Sequence, residues 1–195
     1  MYKFVFVLFV GSFTLIAACN EPYTPKSKGY AVIDLPQKSY QLFNEPGYPY
    51  TFEYPTYATI NKEVNYFGVS KKGDAWLNIN FPGQNATIYI SYRQVQPRQF
   101  DTLVRDAYTF VNNHNNKASF ITDSVFTTVN GVNGVFFHIG GNVATSYQFF
   151  LSDSATHFFR GALYFNTIPN EDSLAPVNDF IFKDLTQLVN SFRWK

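Results

Sequence analysis

The sequence predicts an α+β domain, an antiparallel β-sheet meander covered by two helices, and three observations carry that prediction. Four stretches between Ser119 and Phe165 are strand-like and separated by turns rich in Asn, Gly, Asp and Ser, as antiparallel hairpins require. An earlier pair, 75–81 and 86–92, alternates apolar and polar residues on either side of Pro82-Gly83-Gln84-Asn85. Leu174, Val177, Ile181, Leu185, Leu188 and Phe192 recur every three or four residues, a helical stripe that needs a sheet to lie on.

Taken in order, Tyr30 to Leu35 (YAVIDL) and Tyr50 to Tyr54 (YTFEY) are the first strand candidates. In 75–81, Leu77, Ile79 and Phe81 face one way, and Trp76, Asn78 and Asn80 the other. That is a half-buried strand. In 86–92, Ile88, Ile90 and Tyr92 share a face, and the turn between the two runs makes them a hairpin. Asp101 is placed to cap a helix over 102–113, with Leu103, Ala107, Phe110 and Val111 as its apolar stripe. Asp101 and Arg105 are spaced for an ion pair. The run 112–116 (NNHNN) ends this helix. Strands are then expected over 120–129, 135–139, 145–151 and 157–165. Asp172 or Ser173 starts the last helix, and Pro176 falls in its first turn, where a missing N–H costs nothing.

The chain has 195 residues, enough for one domain and a leader. It is 46% hydrophobic and 19% aromatic, which excludes long intrinsic disorder. The formal charge of +1 gives no basic field, so nucleic acid is not an expected partner. A single Cys excludes a disulfide framework within the chain and multi-cysteine metal sites.

That Cys is at position 19. Lys3 and the apolar run 4–18 form a signal-peptide core, shorter than the roughly 20 apolar residues that span a bilayer. Ile16-Ala17-Ala18-Cys19 resembles a bacterial lipobox, in which small side chains fit the peptidase and the thiol accepts a diacylglycerol. The expected organisation is a lipoprotein signal peptide over 1–18, a Pro- and Gly-containing linker over 19–29 and a single domain over 30–195. Removing 1–18 takes Lys3 away and leaves basic and acidic side chains equal in number. Acyl chains on Cys19, not charge, then hold the protein on a membrane of the cell envelope, facing the periplasm. Asn20 is not the Asp that retains some lipoproteins at the inner membrane, and the choice of membrane stays open.

The search for chemistry is mostly empty. His114, His138 and His157 have no metal-ligand spacing, and there is no nucleophile elbow, phosphate loop or dinucleotide loop. Glu53, Asp74 and Asp153 have no spacing that argues for a carboxylate pair. No cofactor, metal or catalytic residue is expected. One polar group stands out: Asn142, Gln148, Asp153, His157, Arg160 and Asn166, with Gly141, all lie on the meander or its turns. They read either as a partner-binding face or as turn chemistry satisfying backbone groups. Exposed aromatic rings are the other candidate contact. Asp-Ser/Thr before a small or apolar residue occurs at Thr102, Ser124, Ser154 and Ser173, which resembles the O-glycosylation acceptor pattern of Bacteroidetes envelope proteins. The plainer account is that such pairs cap helices and make turns.

The element order resembles the PsbP-like fold, an α/β/α sandwich. The chain is also similar to the gliding motility lipoprotein GldD family of Bacteroidetes. The likeness runs through Gly141-Asn142-Val143-Ala144-Thr145, Gln148-Phe149, Asp153-Ser154, His157-Phe158, and 160–166 (RGALYFN). It continues through Pro169-Asn170, 172–176 (DSLAP) and Trp194-Lys195, with upstream agreement at 28–30, 52–55, 76–79 and 86–89. The resemblance implies an accessory envelope lipoprotein for gliding motility and the linked type 9 secretion machinery, binding or stabilising other envelope proteins, without catalysis. Many members carry a Cys before Pro-Tyr and another before Trp. Tyr48 and Ala75 stand at those places here, so the resemblance brings no disulfide with it. A periplasmic small-ligand or glycan-binding lipoprotein, or a cryptic hydrolase with a pocket around His157 and Arg160, is the alternative.

Overall fold

The computed structural model describes residues 33–62 and 75–195. The expected signal peptide, Cys19, the linker, Asp74 and the first half of the Tyr30–Leu35 strand lie outside them. The described residues from Asp34 onward form one compact unit.

Among the described residues there are ten strands and two helices. In chain order they are β1 (Tyr40–Phe43), β2 (Tyr50–Pro55), β3 (Thr59–Asn61), β4 (Leu77–Phe81), β5 (Ala86–Gln94) and α1 (Phe100–Asn112). Then come β6 (Ala118–Thr127), β7 (Asn133–Gly141), β8 (Tyr147–Ser152), β9 (His157–Phe165), α2 (Glu171–Ser191) and β10 (Arg193–Trp194). Seven strands make one sheet in the order β3-β4-β5-β9-β8-β7-β6, and β1-β2-β10 make a small second sheet. Every pairing is antiparallel.

The hairpin and the four-strand meander form as their turns predict. Between β4 and β5 the chain makes one 3-10 turn over Pro82–Gln84, and Asn85 closes it in the left-handed region at φ 49°. Asn is one of the few non-glycine residues that take this conformation cheaply. The first strand differs from expectation. Residues 33–39 are in no strand, and pairing begins at Tyr40, opposite Pro55. Pro36 has no N–H for a ladder. β1 itself buries only Phe43, so no alternation marks it in the sequence.

Both helix starts also differ. α1 begins at Phe100, and Asp101 lies in its first turn, where its charge favours the helix dipole, instead of capping it. Arg105 reaches Thr102 and not Asp101. α2 is capped by Asn170, whose side chain accepts from the Ser173 N–H, with Glu171 and Asp172 in the first turn. The Asn offers the same acceptor geometry as the Asp or Ser expected to cap it.

Alternation along each strand splits the large sheet into two faces. Leu77, Ile79, Ile88, Ile90, Phe149, Leu151, Phe159 and Leu163 form one core with Val177, Ile181, Leu185 and Leu188 of α2. The small sheet closes this core with Tyr50 and Phe52, and Phe192 follows the helix into it. Aromatic residues meet here edge to face: Tyr50 and Phe159 at 4.8 Å, Phe159 and Phe192 at 4.8 Å. Each such ring, fully buried, contributes on the order of 2–3 kcal/mol. Tyr50 also donates its hydroxyl to the Ala75 carbonyl, tying β2 to the entry of β4. The opposite face carries a smaller core: Val135, Phe137, Ile139, Phe150 and Phe158 against Ala107 and Val111 of α1. The layers are therefore α1, the seven-stranded sheet, then α2 with the small sheet.

Candidate functional site

The described residues cover the two faces of the large sheet unequally. A helix is about 10 Å wide and strands are spaced about 4.8 Å apart, so one helix covers two or three strands. α1 lies over β7, β8 and the start of β9. On this face β4, β5 and the rest of β9 turn their polar side of the alternation outward. The result is a groove of about 1240 Å³, floored by these strands and walled by α1.

Three ladders build the floor. Asn80 stands opposite Thr87, which stands opposite Tyr164; Asn78 opposite Tyr89, opposite Ala162; Ser91 opposite Arg160. Thr87 donates to Asn80 at 3.1 Å, and the Tyr89 and Tyr164 rings meet edge to face at 5.6 Å. Trp76 donates its indole N–H to the Tyr92 carbonyl at 2.6 Å, which fixes the ring, and the Arg93 guanidinium lies over it at 5.4 Å. On the wall, Phe110 is 49% exposed and carries the Arg160 guanidinium 4.6 Å above its ring. Sequence periodicity put Phe110 in the helix core stripe. It sits at the edge of that stripe, where the helix turns from the sheet to the groove.

Arg160 is the pivot of this site. It donates to the Gln148 Oε1 at 2.5 Å, while Gln148 itself is 1% exposed and its Nε2 has no hydrogen-bond partner. Burial pulls the His114 pKa down, and the nearby Arg160 charge pulls it further, so His114 is neutral at pH 7. Among the described residues the groove lining then carries two guanidiniums, Arg93 and Arg160, and one carboxylate, Asp106.

The remaining polar residues are dispersed by the fold. Asn166 lies at the far end of the same groove, where its carbonyl accepts from the Asn85 side chain at 2.7 Å. His157 is on the opposite face from Arg160, because the two stand an odd number of positions apart in one strand, with only Phe158 and Phe159 between them. Its Nδ1 meets the Tyr92 hydroxyl at 2.6 Å, and its ring stacks on Trp194 at 4.9 Å. Asp153 turns the β8–β9 hairpin, its Oδ1 accepting from the N–H groups of Ala155, Thr156 and His157. Asn142 accepts from the Glu171 N–H at 2.9 Å and so secures the start of α2. Gln148 is too buried to touch a partner directly. Thr102, Ser124, Ser154 and Ser173 are all exposed. Glu53 accepts from Gln187 at 2.6 Å, away from Asp153. His138 packs between Phe120 and Tyr147, and burial lowers its pKa. No group of three metal-ligating side chains occurs among the described residues, nor does any helix there reach the length and apolarity to cross a membrane.

Sequence reasoning missed Trp76, Tyr89, Arg93, Asp106 and Phe110 as groove residues. The available signal was the polar half of the alternation in 75–94, which carries Trp and Tyr where a solvated face ordinarily carries charge.

No curated protein matches the chain. Among solved structures it is similar to the solution structure of cyanobacterial PsbP (CyanoP) from Synechocystis sp. PCC 6803. That likeness has 12% identity, covers 90% of this chain and 100% of the other, and has a TM-score of 0.47. Residues 20–194, nearly the whole chain, match the family described as gliding motility lipoprotein GldD, and the chain belongs to that family.

Proposed function

We propose that this protein is a lipid-anchored accessory factor of gliding motility and of the linked type 9 secretion machinery. It acts by binding or stabilising partner envelope proteins and is not an enzyme. The observation that carries this reading is the family match, which begins at residue 20, directly after the lipobox cysteine. Acylation of Cys19 and cleavage before it leave the folded part tethered at the envelope, facing the periplasm. Residues of β6 supply candidate partner contacts, since this edge strand exposes Phe120 (43%) and Val125 (79%). The exposed polar residues Asn142, Asp153 and Asn166 lie on loops that add hydrogen-bonding groups.

The test is a deletion strain complemented with wild type or with Cys19→Ala, scored for gliding, for type 9 secretion and for the abundance of other gliding lipoproteins. The expected result is restoration by wild type, failure of Cys19→Ala, and loss of at least one partner lipoprotein in the deletion. Full activity of a soluble Cys19→Ala protein, or unchanged partner levels with normal secretion in the deletion, overturns the reading. Intact mass of the native protein also decides whether Thr102, Ser124, Ser154 or Ser173 carries a glycan; an unmodified mass ends that idea.

A further inference from the structure

β6 is an outer strand of the large sheet, and among the described residues nothing pairs with its free side. It runs ten residues, against three for β3 at the other side of the sheet, and none of the ten is buried. The phase of its ladder is fixed at the turn, where the Thr128 N–H donates to the Val132 carbonyl at 2.8 Å. Thr128 and Val132 are therefore a hydrogen-bonded pair, and such pairs alternate along an antiparallel ladder. Thr122, Ser124 and Phe126 direct their backbone groups to β7. Ile121, Asp123, Val125 and Thr127 turn theirs outward, four N–H and four C=O groups over roughly 20 Å. The Ile139 N–H, opposite Ile121, bonds Ser146 on its far side, in the same phase. Natural sheets guard such an edge with Pro, Lys, a short strand or a covering loop. Between Ala118 and Thr127 there is no Pro, Lys or Arg, and the bulge between Ala118 and Phe120 lies at the end of the strand.

We infer that β6 is the docking edge for an extended segment of a different envelope protein, which joins the large sheet as a further antiparallel strand. This rests on the accessory reading and names the kind of contact that role uses. A row of alternating donors and acceptors at a two-residue repeat is matched by extended backbone. A helix has its own N–H and C=O groups already paired along its length. Two side chains on the outward row read the incoming strand. Asp123 is exposed, its Oδ2 accepts from the Tyr108 hydroxyl at 3.2 Å, and its charge favours Lys or Arg at the position opposite. Val125, 79% exposed, favours a β-branched or aromatic residue two places along. A second copy of this chain fits less well. Pairing β6 with itself about a two-fold axis, over 120–126 or 121–127, sets the two Asp123 carboxylates directly or diagonally opposite each other.

The test uses the full-length lipoprotein in the native envelope of the deletion strain. Thr127→Cys carries a thiol-linked photocrosslinker on the free edge, and Ile168→Cys, 86% exposed on the loop before α2, carries it elsewhere. The expected result is an adduct of Thr127→Cys with an envelope protein other than this one, mapped by mass spectrometry to a segment holding Lys or Arg. Ile168→Cys does not give that adduct. Val125→Pro removes an outward N–H and keeps the bonds to β7. Added to Thr127→Cys, it lowers the adduct about tenfold. Asp123→Lys lowers it too, with the backbone unchanged, and carries the test where the proline variant fails to fold. Both variants also lower the abundance of the captured protein in cells. An adduct and partner level unchanged in both, while Cys19→Ala still fails to complement, overturn strand docking and leave the accessory role standing. An adduct only between two copies of this chain, or no adduct from Thr127→Cys, also overturns it. Normal gliding, secretion and partner levels in the deletion strain overturn the accessory role instead, and the fate of the adduct in Val125→Pro and Asp123→Lys still decides the edge.

Discussion

The Lys38 ammonium lies 2.7 Å from the Asp184 carboxylate and joins the segment before β1 to the middle of α2. Asp184 is 1% exposed, and Tyr40 and Tyr57 donate to its two oxygens at 3.0 and 2.6 Å. Lys38 also donates to the Phe180 carbonyl at 2.8 Å and stands 3.3 Å over the Phe180 ring. A buried carboxylate stripped of its cation is costly, by 3–5 kcal/mol where both partners are buried. Lys38 is a quarter exposed, so the expectation here is smaller. Lys38→Met lowers unfolding stability by about 2 kcal/mol in a urea titration, and adding Asp184→Leu recovers part of the loss. An unchanged midpoint in Lys38→Met shows that the two tyrosines alone support the carboxylate.

The same cluster sets an alkaline limit. Burial raises the Tyr40 pKa, and its hydrogen bond to Asp184 raises it further, to about 12. A raised folded-state value means the contribution is fully present below the unfolded tyrosine value near 10 and is lost as pH rises toward 12. Lys38, pulled below its usual value by burial, shifts stability the other way, but it is common to wild type and a Tyr40→Phe variant. Wild type therefore loses more stability than Tyr40→Phe between about pH 10 and 12. Parallel stability curves across that interval contradict the assignment.

Asp153 works at the other end of the scale. Burial opposes its ionisation, yet three N–H donors, from His157, Thr156 and Ala155, outweigh burial and hold the carboxyl below its usual value. Such a depressed group contributes stability above the unfolded Asp value near 4, and the contribution disappears as pH falls through the folded value. Asp153→Ala removes the acceptor for all three donors and costs about 1–2 kcal/mol at pH 7. The deficit shrinks below about pH 4, where wild type loses the same bonds. A deficit that is constant with pH assigns the effect to backbone geometry, since the next residue, Ser154, is held at φ 63°.

These residues show what the sequence could tell. Strands β4, β5 and β9 and the stripe of α2 were legible because one face of each is solidly apolar over many residues. The aromatic content reads out as the core around Tyr50, Phe159 and Phe192. β1, β3 and β10 were not legible: they run two to four residues and take their pairing from neighbours. The groove was half legible. Arg160 and Asn166 stood out as polar residues in the meander, but His157 shares their strand or its edge and points away from Arg160. Asn142 and Asp153 are spent on α2 and on a turn. What sequence could not give was the position of α1 across the sheet, which decides that Phe110 and Tyr89 both line the groove and are not in a filled core.

The β8–β9 contact gives the sharpest steric prediction. Gly161 pairs with Phe149, and a Cβ built on Gly161 comes 2.4 Å from the Phe149 ring. Its φ is not in the left-handed region, so space and not backbone conformation is why glycine stands there. The Phe149 ring lies flat over that strand, 1% exposed and stacked with Phe136 at 6.0 Å, and has nowhere to withdraw. Gly161→Ala should cost about 1–3 kcal/mol by overpacking, read as a drop in thermal midpoint. Gly83→Ala, which meets open space, should cost little. Replacing Phe149 by Leu in the Gly161→Ala background removes the collision at the price of a cavity. The double variant should then fall short of wild type by less than the two single losses added. Strict additivity of the two losses would show that the ring was never what kept Gly161 small.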